Sequence, residues 1–131
     1  PSASPRNSVC GHLIAVLAGY GALAVTGLLA AGPAGTGVTT PRVIAAALSL
    51  GVTCGAMIWF RVPHPPAGAT TLIVSLGIIT HPVHLAVLML AVVLLVVQGL
   101  AINRFAGIAY PLWSARPRTG TRGGGGRHPD E

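Results

Sequence analysis

The residues with the clearest chemical potential lie in one short run, in which His64 is followed by Pro65 and Pro66 and then by Ala-Gly-Ala-Thr-Thr. Proline has no amide hydrogen, so a helix that starts at Pro66 is predicted to present its first free N–H groups at residues 67–70. Amides at a helix N-terminus, with the positive end of the helix dipole, favour an anion. His64 can donate a hydrogen bond and can take up a proton in mildly acidic solution. The run therefore predicts an anion site; the alternative is a proline-rich turn that starts a buried helix.

Further candidates lie in this run and at the start of the first apolar segment. Gly68 allows a ligand to approach closely, and the hydroxyl groups of Thr70 and Thr71 add polar contacts. The predicted substrate-binding residues are Arg6, Asn7, His12, His64, Gly68, Ala69, Thr70 and Thr71. His12 is one turn inside an apolar segment, where a polar side chain usually faces protein rather than lipid. Arg6 has a competing interpretation, because an arginine at the end of a span commonly extends to lipid phosphates.

Other classes of chemistry find little support. The only carboxylate side chains are those of Asp130 and Glu131, so the chain has no paired acids, and it has no phosphate-binding loop and no nucleophile elbow. His81 and His84 lack a third metal ligand nearby, and we expect neither a metal nor another cofactor. A histidine-based membrane enzyme is a distant alternative. The arginine- and glycine-containing C-terminal region is better explained by anionic lipid than by nucleic acid.

The composition places these residues in a membrane. The chain has 131 residues, of which 52% are hydrophobic and 8% charged, and its mean hydropathy is +0.73. A soluble domain carries about a quarter charged residues. A water-facing surface built from this composition would be apolar over most of its area, which soluble monomers avoid. We therefore expect one domain whose solvent is membrane lipid.

Four apolar segments are predicted as helices, over about residues 9–31, 43–62, 66–79 and 83–106. At a rise of 1.5 Å per residue, three of them reach about 30 Å and the third only about 20 Å. The third is also dotted with polar residues, so it must pack against protein or line a cavity. The predicted fold is an all-α membrane protein with about four transmembrane helices, the third short and following the His-Pro-Pro break. A re-entrant third segment is the alternative.

The arginines favour four crossings. In that topology both chain ends lie on one side with seven of the eight arginines, and only Arg42 lies opposite. The positive-inside rule then places residues 114–131, a basic tail predicted to be disordered, in the cytoplasm.

Small residues at fourfold spacing predict where the helices approach each other most closely. They occupy positions 11, 15 and 19 in the first segment and 47, 51 and 55 in the second. We expect Gly51 and Gly55 to lie at a close helix contact, so that leucine at Gly51 overpacks it. The fourth segment has no such stripe, and we expect it to lie outside a core formed by the other three.

Three motifs resemble the HPP family of membrane proteins. They are His64-Pro65-Pro66 followed by Ala-Gly-Ala-Thr, then Pro5-Arg6-Asn7 followed by Gly11-His12, and Asn103-Arg104 followed by Tyr110-Pro111-Leu112-Trp113. The resemblance covers roughly residues 3–113. It implies a four-span membrane protein, and some family members are implicated in nitrite transport into chloroplasts and cyanobacterial cells. Family members have further apolar sequence before the Pro-Arg-Asn motif, so we expect this chain to lack the N-terminal part of the family domain.

The expected function is transport of a small inorganic anion, as a transporter or channel subunit in a bacterial plasma membrane. Nitrite is the anion that the resemblance implies. Four short spans enclose little volume, so a homo-oligomer is expected. The alternative from another class is a structural or sensory membrane module that acts with a separate soluble partner.

Overall fold

The computed structural model describes residues 4–32, 37–108 and 111–113, which form four α-helices. They are α1 (Pro5–Val25), α2 (Thr40–Trp59), α3 (Ala67–Ser75) and α4 (Pro82–Phe105). The predicted all-α fold with a short third helix is therefore confirmed. The disordered tail predicted at 114–131 lies outside the described residues.

Three of these helices, α1, α2 and α4, are long and apolar enough to cross a membrane. The third has 9 residues, hence a length of about 13 Å, and it is shorter than the sequence predicts. Its predicted end at residue 79 is wrong because Gly77 adopts the left-handed conformation, with φ +75°, and the helical hydrogen bonds stop before it. The first helix starts earlier than predicted, because Ser4 caps it by accepting a hydrogen bond from the Asn7 amide at 3.4 Å.

Contacts between helix ends define the path of the chain. The Arg6 guanidinium donates to the carbonyl oxygens of Phe60 and Arg61, and its backbone amide donates to Trp113. The start of α1, the end of α2 and the segment after α4 therefore meet at one end of the molecule, which we call the His64 end. At the opposite end, the Arg42 end, the Arg42 guanidinium donates to the Gly32 carbonyl and lies against Gly77. The third segment thus begins at the His64 end and reaches Arg42.

The first helix is the centre of the bundle, because it packs against α2, α3 and α4. Its glycines allow the closest approach: a Cβ atom at Gly11 would lie 2.7 Å from His64 Cβ, and one at Gly19 would lie 2.8 Å from Val74 Cβ. On α4 only Leu85 is buried. The predicted core of α1, α2 and α3, with the fourth helix outside, is confirmed.

The small-residue stripe of α2 does not form the helix contact predicted for it. Among the described residues, no atom outside the adjoining backbone of α2 lies within 4 Å of a Cβ placed at Gly51 or Gly55, and both glycines are exposed. The buried positions of α2 are instead Arg42, Ala45, Ser49, Thr53 and Met57. The prediction of a close contact within the bundle is wrong, because α2 turns its polar hydroxyl-bearing face, rather than its glycines, to the other helices.

The second helix ends with a strained residue. The Val62 amide donates to the Met57 carbonyl at 2.9 Å and the Arg61 amide to Ile58 at 3.1 Å, which is the Schellman pattern. That pattern needs one residue in the left-handed conformation just after the helix. After α2 this residue is Arg61, at φ 54°, whereas glycine occupies the same position after the other three helices.

We therefore predict that Arg61→Gly stabilises the protein by up to about 1 kcal/mol, because glycine adopts this conformation without a Cβ penalty. The Arg61 carbonyl that Arg6 uses is retained. The measurement is the melting temperature of the detergent-purified protein. The same change at Arg104, in the last turn of α4, should lower the melting temperature, because Arg104 is helical there and glycine loses more backbone entropy than arginine in a helix. Equal effects at both positions would contradict the assignment of strain to Arg61.

Candidate functional site

The turn that carries His64 is held by the first turn of α1. Prolines at 63, 65 and 66 leave the turn few amide donors, so its carbonyl oxygens need partners from elsewhere. The Arg6 guanidinium donates hydrogen bonds to the carbonyl oxygens of Phe60 and Arg61, at 3.2 and 3.3 Å. The Asn7 side-chain amide donates to the Pro63 carbonyl at 3.2 Å. Two motifs that are 55 residues apart in sequence thereby fix each other in space.

This tether places His64 directly against α1. Its side chain is 8% exposed, and its Cβ faces Gly11, where a larger residue would overlap it. The ring of His12 lies edge-on to the ring of His64, with centroids 5.0 Å apart and planes at 64°. The close approach at Gly11 is thus what brings the two imidazoles together.

A hydroxyl group completes the cluster. His12 Nδ1 lies 2.8 Å from Thr70 Oγ1, a hydrogen bond in which the tautomer of the ring decides which atom donates. Thr70 is 6% exposed and belongs to the first turn of α3. We call His12, His64 and Thr70 the histidine cluster. Three of the predicted site residues, from two distant parts of the sequence, are therefore brought into contact.

The histidine cluster borders a cleft between the His64 turn, α1 and α4. The cleft has a volume of about 230 Å³ and is lined by Ser8, His12, His64, Val92, Leu95, Val96 and Gly99. A water molecule occupies about 30 Å³ of liquid, so the cleft has room for a small ion with part of its hydration shell. One wall carries the imidazoles and a serine, and the other wall is the apolar side of α4.

The amides at the start of α3 are not free. Ala67, Gly68 and Ala69 donate to the carbonyl oxygens of His64, Pro65 and Pro66, at 3.0, 3.0 and 3.2 Å. Proline lacks an amide hydrogen but keeps a carbonyl, and the turn before α3 uses those carbonyls for hydrogen bonds that span three residues. The prediction that this helix start offers unpaired N–H donors is therefore wrong.

Other predicted site residues lie away from the cleft. Gly68 faces α2, where a Cβ atom would lie 3.7 Å from Leu50 Cδ1, and Ala69 is exposed. Thr71 is fully buried, and its hydroxyl lies 3.0 Å from that of Thr53 and donates to the Ala67 carbonyl at 3.1 Å. The guanidinium of Arg6 and the amide of Asn7 hold the turn, as described above.

Of the four buried polar residues between α2 and α3, sequence reasoning named Thr71 and missed Ser49, Thr53 and Ser75. Ser49 and Thr53 on α2, and Thr71 and Ser75 on α3, are each no more than 1% exposed. Both pairs have a spacing of four residues, which places their members on one face of a helix. This repeat in two apolar segments was a signal available in the sequence.

The histidine pair at the start of α4 is separate from the cluster. The rings of His81 and His84 are 5.4 Å apart, and both side chains are exposed. In residues 4–32, 37–108 and 111–113, no three His, Cys, Asp or Glu side chains are grouped in a way that could hold a metal ion.

The comparisons with known proteins support the resemblance seen in the sequence. The family profile described as HPP, transmembrane region, matches residues 1–111. No curated protein and no solved structure matches the chain significantly. The profile covers most of the chain, including both motifs that meet at the histidine cluster. The chain therefore belongs to the HPP family of membrane proteins.

Proposed function

We propose that this protein transports a small inorganic anion across the membrane and that the histidine cluster binds the anion on its way. The observation that carries the proposal is the cluster itself: two imidazoles, with ring centroids 5.0 Å apart, border a cleft between the His64 turn, α1 and α4, and the Thr70 hydroxyl is hydrogen-bonded to one of them. Nitrite is the anion that we favour, because the resemblance described above implies it.

The charge of the chain supports an anion over a cation. Residues 1–129 contain no carboxylate, while Arg6 and Arg61 lie at the His64 end. An imidazole in this setting can donate a hydrogen bond when neutral and adds a positive charge when protonated. In a medium of low dielectric constant, an anion without such donors would pay a large desolvation cost. The site thus favours negative ligands.

We further propose that the chain acts as a homo-oligomer surrounded by lipid. A single chain encloses little space, because α4 packs mainly on α1 and leaves most of its own surface exposed. The exposed glycine face of α2, at Gly51 and Gly55, would let a second helix approach closely.

The His64 end is the side that we assign to the cytoplasm. Arg6 and Arg61 lie there, Arg104 is in the last turn of α4, and the sequence continues from this end into four more arginines. The positive-inside rule orients such an end toward the cytoplasm.

The test of transport is anion flux into liposomes that contain the purified protein. Nitrite uptake should exceed that of protein-free liposomes, and uptake of sodium or potassium should not, because no carboxylate compensates a cation. Nitrous acid crosses lipid unaided, so the protein-free rate is subtracted at each pH. A structural or sensory module, the rival function, predicts no flux above that background.

Thr70→Val tests the cluster with little change of shape. We predict that nitrite flux falls about 5-fold to 10-fold, because losing a hydrogen bond to a binding group costs about 1–1.4 kcal/mol. Thr26→Val is the matched control, because in the described part of the chain the Thr26 hydroxyl donates to the carbonyls of Ala22 and Leu23, in the helix that Thr26 caps. If the two variants reduce flux equally, the cluster has no special role in transport.

A further inference from the structure

A row of buried hydroxyl groups lies between α2 and α3, from beside the histidine cluster toward the other end of the bundle. Thr71, next to Thr70 of the cluster, lies 3.0 Å from Thr53, oxygen to oxygen. The helices α2 and α3 are antiparallel. Thr53 of α2 lies beside Thr71 of α3, and further along the bundle Arg42 of α2 lies beside Gly77, just after α3, so residue numbers decrease along α2 as they increase along α3. Ser49 and Ser75, one turn beyond the threonines, lie along the same interface.

Arg42, where this row ends, is a buried cation with an unused donor. It is 5% exposed, and its Nη2 donates to the Gly32 carbonyl. Its Nη1 is shielded from solvent and has no hydrogen-bond partner in the part of the chain that the structure describes. The same holds there for the hydroxyl of Ser75, two residues before Gly77.

The surroundings of Arg42 do not neutralise its charge. A guanidinium stays protonated in proteins, so it cannot escape the cost of burial by losing a proton. Arg42 lies in the first turn of α2, where the helix dipole is positive and disfavours a cation, and no acidic residue is present in that turn. Nor does any carboxylate occur in residues 1–129. A buried, unpaired charge of this kind is strongly destabilising unless something compensates it.

The backbone is shaped around this side chain. A Cβ atom placed at Gly77 would overlap the guanidinium, with the Arg42 Cζ at 3.1 Å. The turn after α3 therefore accommodates Arg42, and the side chain is held inside the protein rather than extended to the membrane surface.

We propose that Arg42 is a second anion-binding site, at which Nη1 donates to a small inorganic anion such as nitrite at the end of the pathway opposite the histidine cluster. The proposal rests on the function proposed above. It gives the pathway two anion-binding sites, the histidine cluster and Arg42, with the hydroxyl row between them. A lipid phosphate offers the same chemistry to a guanidinium. We assign the site to the small anion, because Nη1 is enclosed by protein and a headgroup would have to enter the bundle.

The test is an anion-dependent melting temperature of the full chain in neutral detergent. Sodium nitrite is compared with sodium gluconate at equal ionic strength and at about pH 8, where arginine remains charged. In nitrite at ten times its dissociation constant, the wild type should melt roughly 4 °C or more higher than in gluconate. Arg42→Met should lose at least half of this shift, and Arg104→Gln, a control for an exposed arginine, should keep it.

The behaviour of Arg42→Met in gluconate separates a binding site from a structural cation. Methionine preserves the packing of the side-chain stem and removes a buried charge, so this variant should melt at or above the wild-type temperature in gluconate. If Arg42→Met fails to fold, Arg42→Lys replaces it. The planar donor fork is then lost, and the nitrite shift should fall at least twofold.

Three outcomes would overturn the proposal. The first is a wild type that gains no stability from nitrite, and the second is an undiminished shift in the variants at Arg42. The third is stabilisation of the wild type by phosphatidylglycerol over phosphatidylcholine, without any effect of nitrite, which assigns Arg42 to lipid. Nitrite flux is measured on the same preparations. If flux is present but the nitrite-dependent rise in melting temperature does not depend on Arg42, the Arg42 site alone is rejected. If that rise depends on Arg42 but flux is absent, the transport function is rejected.

Discussion

Gly19→Leu should destabilise the protein by about 3 kcal/mol or more, the largest stability effect expected in the bundle. The first atom of the new side chain would lie 2.8 Å from Val74 Cβ, 3.0 Å from its Cγ1 and 3.1 Å from the Thr71 carbonyl oxygen. Valine is stiff at χ1 and the carbonyl belongs to a helix, so neither can move away cheaply. The helices α1 and α3 must separate, and the histidine cluster near their other end should be disturbed as well.

The same substitution at Gly51 is the matched control. Both glycines lie inside long apolar helices, but a Cβ atom at Gly51 has no neighbour within 4 Å. We expect Gly51→Leu to change the stability of the monomer by no more than about 0.5 kcal/mol. Melting temperature and yield in detergent are the measurements. A large loss for Gly51→Leu with none for Gly19→Leu would mean that α2, rather than α1, is the centre of packing.

His64→Ala should reduce nitrite flux by tenfold or more, the largest functional effect that we expect. The side chain borders the cleft, stacks edge-on with His12 and presents its Cβ to Gly11. Removing it takes away one of the two imidazoles that could donate to the anion. If the bound or crossing anion is stabilised by about 1.4 kcal/mol less, nitrite flux falls tenfold.

The control is His84→Ala. His84 is exposed in the first turn of α4 and its ring contacts His81, so its loss should leave flux close to that of the wild type. Because His64 also packs against α1, His64→Gln is included as a variant of similar reach that cannot become cationic. Full flux in correctly inserted His64→Ala would show that the triplet is only a turn and would remove the site.

The fold class followed from the sequence because membrane insertion depends on local composition. Each long apolar segment covers the hydrocarbon thickness by itself, so α1, α2 and α4 could be predicted without knowing their neighbours. The break at Pro63, Pro65 and Pro66 was equally local, since proline acts on the backbone beside it. Helix ends were less well predicted, because a left-handed residue such as Arg61 carries no sequence signal.

The candidate site was determined only in part by the sequence. Residue types and motifs indicated His12, His64 and Thr70, but the free amides predicted beside them are paired with the carbonyls of their own turn. The sequence showed which groups could act as donors and acceptors. Which of them remain available depends on the turn that the chain forms, and therefore on three-dimensional structure.

The packing faces were decided by the tertiary structure alone. Small residues have the same fourfold spacing in α1 and α2, yet Gly11 and Gly19 of α1 face His64 and α3, whereas a Cβ atom at Gly51 or Gly55 of α2 meets no other described part of the chain within 4 Å. In lipid, apolar side chains gain little by turning inward, so polar groups that need partners can determine which face is buried. On α2 those groups are Arg42, Ser49 and Thr53. The sequence by itself determined that this protein lies in a membrane with histidines at a proline break, and the polar contacts between helices decided how the bundle is assembled around them.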